Sequence, residues 1–203
     1  MFLNQMRRRS TVALVAVLLA VATSASAEKS SNPNLAKVRI DNFGQINENY
    51  YRGAQPRTSD YSDLAAIGVK TVIDLTRDGR SDEQGLVERA GMKFYRIPLT
   101  TSERPSQDAI TEFLKLVNDP ANFPVYVHCQ GGRHRTGVMT AVYRMTKDGW
   151  TADRAYQEMK QYRFEGFPAH PVLKSFVFNY HSQVDQPQRA DIGDTEKATA
   201  IAK

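Results

Sequence analysis

The chain of 203 residues contains one cysteine, and its neighbours are those of a reactive thiol. A lone cysteine is often just a small buried hydrophobe. Here the apolar run Pro124-Val125-Tyr126-Val127-His128 leads straight into Cys129, Gly131 and Gly132 follow, and Arg135-Thr136-Gly137 opens a helical pattern. A strand, a tight loop and a helix in that order turn successive backbone N–H groups inward. The helix N-terminus adds the positive end of its dipole. The result is a cradle for a dianion. A sulfur at position 129 is expected as thiolate, because the same amides stabilise negative charge. Arg135 lies six residues on, and its planar fork can hold two phosphoryl oxygens. Such a set supports in-line attack of sulfur on phosphorus, a phosphocysteine intermediate and its hydrolysis by water. The loop and Arg135 supply the positive charge, so neither a metal nor another cofactor is called for.

Further residues of this run attract roles. The Thr136 hydroxyl can donate to the sulfur and help the thiolate depart, or can cap the helix start. His128, Gln130, Gly131, Gly132, Arg133 and His134 make up the expected substrate-binding set. His128 is expected to act by ordering the loop through hydrogen bonds, and Arg133 and His134 by meeting further phosphates. Arg52, Arg57, Lys160 and Arg163 read singly as solvated surface charges.

Elements that could position this loop alternate along the chain. Tyr50-Tyr51-Arg52, Val69–Leu75, Lys93–Leu99 and Pro124–His128 read as strands. Ser59–Ile67 reads as a helix stopped by Gly68. Ser81–Ala90 reads as another, with Ser81 as N-cap and Gly91 as stop. Ser106–Asn118 places Ile110, Phe113, Leu114 and Val117 on one helical face. Thr136–Asp148, Thr151–Tyr162 and Pro171–Ser182 complete the helices. The alternation predicts an α/β fold with a largely parallel central sheet.

The run His128-Cys129-x-x-Gly132-x-x-Arg135-Thr136-Gly137 resembles the signature of the protein tyrosine and dual-specificity phosphatase superfamily. Over roughly residues 42–165 the likeness is to the plant and fungal atypical dual-specificity phosphatases and their bacterial relatives. It is carried by Asn42-Phe43-Gly44, Tyr51-Arg52-Gly53-Ala54-Gln55-Pro56, Gly68–Leu75 and Arg133-His134-Arg135-Thr136-Gly137. That resemblance implies a sheet of four or five strands with helices on both sides. It implies a phosphatase of phosphotyrosine or similar phosphomonoesters, or of inositol polyphosphates and pyrophosphates. Many superfamily members also use an Asp from a separate loop as general acid. The corresponding stretch here is Leu99–Asp108, where Glu103 and Asp108 are the carboxylates. Glu103 is the loop candidate. Asp108 falls in a first helical turn, where acids are common for dipole reasons.

The first 27 residues read as a bacterial-style secretory signal, with Arg7, Arg8 and Arg9, an apolar run Val12–Ala22, and Ala25-Ser26-Ala27 at the cleavage site. That apolar run is shorter than the ~20 residues a transmembrane helix needs, so no stable membrane insertion is expected after cleavage. Periplasmic or secreted location follows. Setting those three arginines aside lowers Lys+Arg from 27 to 24 against 22 Asp+Glu, leaving +2. A near-neutral mature chain speaks against a nucleic-acid partner and leaves a phosphorylated protein or a small phosphate ester. Residues 28–36 read as a flexible leader, 37–184 as the domain and 185–203 as a loosely ordered tail. Two other classes compete: a phosphate-binding pseudophosphatase and a rhodanese-like sulfurtransferase. The intact Cys129, Arg135 and Thr136 weigh against the first, and the His-Cys-x5-Arg-Thr-Gly run against the second.

Overall fold

A computed structural model describes residues 32–166 and 168–184, with side chains as far as residue 180. The expected signal, the first residues of the leader and the tail lie outside the described residues. The elements run β1 (Gly44–Asn47), β2 (Tyr50–Ala54), α1 (Asp60–Ala66), β3 (Thr71–Thr76), α2 (Glu83–Arg89), β4 (Lys93–Leu99), α3 (Gln107–Asn118), β5 (Val125–Cys129), α4 (Arg135–Lys147), α5 (Ala152–Gln161) and α6 (Pro171–Val184). The five strands form one sheet in the order β1-β2-β5-β3-β4, antiparallel between β1 and β2 and parallel elsewhere.

Strand β5, which ends at Cys129, is therefore central. Its residues are all buried, as an unbroken apolar run flanked on both edges requires. Successive side chains point to opposite faces of the sheet. Val125 and Val127 join a core with α3, α4, α5 and α6, while Tyr126 joins a second core with α1 and α2. The same alternation splits Tyr50 from Tyr51 and Ile73 from Val72. Helix α4 is nearly engulfed, with nine of its residues buried, so the helix start behind the phosphate loop has little freedom to move. Helix α3 buries Ile110, Phe113 and Val117 and is capped by Ser106, whose Oγ accepts from the Ala109 N–H at 3.2 Å.

Several expectations need correction. Strand β1 carries little apolar signal, one buried residue in four, and was not expected. Residues 33–36, expected in a flexible leader, form a 3-10 helix together with Lys37. The Nδ2 groups of Asn32 and Asn34 donate to the Ile67 and Ala66 carbonyls at 3.2 Å each, tying it to the end of α1. Ser81 does not cap α2. Asp82 stands at that position without a side-chain cap, because its carboxylate is held by Arg80 through bonds of 3.0 and 2.7 Å.

Candidate active site

Cys129 is the last residue of β5 and pairs with Ala54 across the parallel ladder to β2. The residue is only 2% exposed, and α4 begins six residues later at Arg135. The loop between them turns on Gly132, at φ +64°. A Cβ there would lie 2.4 Å from the Gly53 carbonyl carbon, so no other residue fits without displacing β2. Gly131, expected to share this task, is exposed and meets nothing tighter than ordinary contact. The loop is held from outside as well. The Gly132 carbonyl accepts from Arg52 Nη2 at 2.6 Å and from Asn42 Nδ2 at 2.9 Å. The Gln130 carbonyl accepts from the Gln55 N–H at 3.1 Å.

His128 does not belong with the residues that meet substrate. Adjacent residues of a strand face opposite sides, and its fully buried ring points away from the cradle, stacked on Tyr126. Its Nε2 stands 2.9 Å from Glu83 Oε1, and its Nδ1 3.9 Å from Asp74 Oδ1. Tyr61 Oη and Gln55 Nε2 also donate to Glu83 Oε1, at 2.8 and 2.7 Å. Burial pushes the Glu83 carboxyl up, but the close His128 ring and the bonds from Tyr61 and Gln55 outweigh it and leave it below the usual carboxylate range. Asp74, Glu83 and His128 stand close enough to hold a cation. Both Asp74 oxygens are already engaged, however: Arg96 Nε donates to Oδ2 at 2.8 Å and Thr76 Oγ1 to Oδ1 at 2.7 Å, while Arg96 Nη2 also stands 3.7 Å from Glu83 Oε2. A guanidinium at that distance repels a metal ion, so the trio reads as an ion network behind the loop.

The Arg135 side chain is 11% exposed, and its Nη1 reaches the Leu99 carbonyl at 3.4 Å. Asp78 Oδ1 lies 4.0 Å from the same nitrogen, on the segment after β3. The sequence-expected acids are placed differently. Glu103 is engaged by Arg77 Nη2 at 3.1 Å and Thr100 Oγ1 at 3.3 Å. Asp108 sits in the first turn of α3 and makes no ion pair with Arg135 among the described residues. The Thr136 Oγ1 is buried and makes no hydrogen bond among the described residues, so it does not cap α4.

Arg133 remains half-exposed, with Nη1 3.7 Å from Glu165. His134 packs against His170, ring centroids 3.8 Å apart, and edge-on to Phe164. Burial, the His170 ring and the Arg133 and Arg135 charges depress it to about 4, against a weaker pull from Glu165. A neutral imidazole brings no charge to a second phosphate. Arg57, Lys160 and Arg163 are exposed, as expected, but Arg52 is not a surface charge: it is fully buried. Arg52, Asn42, Glu83 and Asp78 are the residues that sequence reasoning missed. Arg52 and Asn42 stood inside segments noted for their resemblance, but a side chain's depth has no local signal. Glu83 and Asp78 meet the loop only through the parallel β3–β5 crossover.

The family described as "DSP-PTPase phosphatase fused to NAD+ Kinase" matches residues 19–171. A probable tyrosine-protein phosphatase, DG1060, from Dictyostelium discoideum is 27% identical over 141 residues, 67% of this chain and 83% of the relative. The inositol diphosphatase SIW14 of Saccharomyces cerevisiae is 25% identical over 61% of this chain, and the dual specificity protein phosphatase TpbA of Pseudomonas aeruginosa 26% over 59%. The chain spans 46% and 54% of those two relatives. The catalytic core of SIW14 superposes with a TM-score of 0.60 at 25% identity, covering 68% of this chain and 84% of that one. The structure of TpbA gives 0.60 at 21%, covering 72% and 92%, a likeness of fold. The chain belongs to the DSP-PTPase family, within the atypical dual-specificity phosphatases.

Proposed function

We propose that this chain hydrolyses phosphomonoesters, phosphotyrosine or a similar ester, through a phosphocysteine on Cys129. One arrangement carries the reading: a cysteine at the end of a central strand, a glycine-turned loop behind it, and a largely enclosed arginine at the helix start whose one carboxylate neighbour among the described ion pairs, Asp78, stands off at 4.0 Å. The loop amides and Arg135 hold the three equatorial oxygens while sulfur displaces the ester oxygen, and water then displaces sulfur. Thr136 donates to the departing sulfur. Asp78 is better placed than Glu103 or Asp108 to protonate the leaving oxygen, because it alone of the three stands beside Arg135. The deciding experiment is phosphatase assay of the whole chain and of Cys129→Ser and Arg135→Lys. Cys129→Ser should have no detectable turnover. Arg135→Lys should lose at least about 100-fold, since a point charge cannot replace the fork. Turnover by Cys129→Ser would end the proposal.

Inositol polyphosphates or pyrophosphates are the second substrate reading. It is favoured by the names of SIW14 and its relatives in Arabidopsis thaliana and Oryza sativa, all inositol diphosphatases at 24–26% identity. The same assay with inositol pyrophosphates beside phosphotyrosine peptides decides between them. Periplasmic or secreted location rests on the sequence of residues 1–27. No helix among the described residues is long and apolar enough to cross a membrane.

A further inference from the structure

Among the described residues Arg52 is a charge without a counter-charge. Its side chain is fully buried beneath the phosphate loop. Nη2 donates to the Gly132 carbonyl at 2.6 Å, and the guanidinium carbon stands 3.9 Å over the Tyr162 ring. Nε and Nη1 are buried without a hydrogen-bond partner, and none of the ion pairs among the described residues includes Arg52. Glu158, the carboxylate that bears on it through space, is committed to Arg144 at 2.7 Å. Burying an unpaired charge costs several kcal/mol, and buried charges are as a rule paired. An unpaired guanidinium is therefore most stable when an anion arrives nearby. Cys129, whose strand position pairs with Ala54 two residues on from Arg52, is among the groups whose negative charge would oppose the downward pull of burial on this guanidinium.

The hydrogen bond has its own consequence. In a planar trans peptide the C=O of one residue and the N–H of the next point in opposite directions. Pinning the Gly132 oxygen outward, towards Arg52 and Asn42, turns the Arg133 N–H to the other side, the side of the cradle.

We propose that Arg52 is a positioning residue of the phosphate loop, acting from beneath: it fixes the Gly132–Arg133 peptide and holds a buried positive charge that the Cys129 thiolate and the bound phosphoryl group balance. This rests on the phosphatase reading, but its test needs no turnover. Two quantities are measured on the full chain: the pH dependence of Cys129 alkylation by iodoacetamide, and the affinity for vanadate. In Arg52→Gln the half-point of alkylation should move up by about one pH unit, as expected for loss of a unit charge at buried range, and vanadate should bind about tenfold more weakly. Arg52→Lys keeps the charge and loses the fork. Its alkylation profile should stay with the wild type while vanadate binding weakens several-fold. Asn42→Ala removes the neutral donor to the same carbonyl and should leave the alkylation profile in place. A folded Arg52→Gln with wild-type alkylation and vanadate affinity overturns the proposal. Should that variant not fold, Arg52→Lys decides, and unchanged vanadate affinity there overturns it. The expected shifts between wild type and Arg52→Gln in a protein that hydrolyses nothing would refute the functional reading and leave the role of Arg52 standing.

Discussion

His128 Nε2 and Glu83 Oε1 are 2.9 Å apart, with both side chains fully out of solvent, so the residue before the nucleophile is anchored to a carboxylate on α2. The backbone of His128 pairs with Gly53 on one side and Asp74 on the other. Ring and backbone together fix where β5 ends and where the sulfur of Cys129 begins.

The anchor should be visible in stability. The Glu83 carboxyl is held below its ordinary 4.5 in the folded chain. Its stabilisation is thus present above about pH 4.5 and lost as pH falls through the lower folded value. Glu83→Gln should cost about 2 kcal/mol at pH 7, the range for hydrogen bonds to a charged group. The gap to the wild type should narrow below pH 4.5. Urea unfolding at pH 7 and in acid measures both, and a gap that widens with acid would contradict the assignment.

Proton donation can be located by leaving-group dependence. A general acid matters most when the departing oxygen is basic, and contributes ~10²–10⁴-fold there. Asp78→Asn should lower kcat on an alkyl phosphate by about 100-fold while an aryl phosphate with a good leaving group is little affected. Glu103→Gln and Asp108→Asn should affect both substrates slightly and equally. An alkyl-selective loss in Glu103→Gln would move the role to that residue and break its contact with Arg77 on the way.

Much of this site was legible in the sequence, for a physical reason. Strand β5, the Gly132 turn and α4 are contiguous, so one short window contains the whole cradle, and hydrophobic periodicity places it in the fold. Adjacency to Cys129 groups the side chain of His128 with the cradle in the sequence, yet strand alternation sends it to the opposite face. In the sequence Arg52 reads as solvated because nothing local marks a buried guanidinium. Its depth follows from β2 lying between β1 and β5. Asp78 stands 57 residues before Arg135 and comes near it only through the parallel pairing of β3 with β5.

His134 should stay neutral while the wild type works. Depressed to about 4 in the fold, it stays largely neutral between pH 7 and 5. His134→Gln should therefore leave the acid limb of the pH–rate profile where it is. Stability should respond in the opposite sense. The unfolded imidazole binds its proton near pH 6.5 and the folded one near 4, so the wild type loses stability as pH falls across that window. His134→Gln should lack this slope, gaining on the wild type towards pH 4 in parallel thermal melts. A limb near pH 6.5 that vanishes with His134→Gln would show that the ring is charged in the working enzyme.

Oxidation should be hard to reverse. A thiolate in a phosphate cradle is the form peroxide attacks, giving sulfenic acid with loss of water. Many thiol enzymes protect that state by a disulfide with a second cysteine, but this chain has one cysteine in 203 residues. The sulfenic acid of Cys129 is left with three fates: condensation with a backbone nitrogen, pairing with an external thiol, or further oxidation to the sulfinic and sulfonic acids. The residue is 2% exposed, so little of the sulfur is open to an oxidant. Bound vanadate or phosphate should then slow inactivation by covering the sulfur. Dithiothreitol should restore activity after brief exposure and little of it after long exposure. A peroxide time course with and without vanadate, read by residual activity and by the mass of the Cys129 peptide, tests each step. Full recovery with thiol after long exposure would mean that a backbone nitrogen captures the sulfur before a second oxidant arrives. Absence of protection by vanadate would mean that peroxide reaches Cys129 by another path.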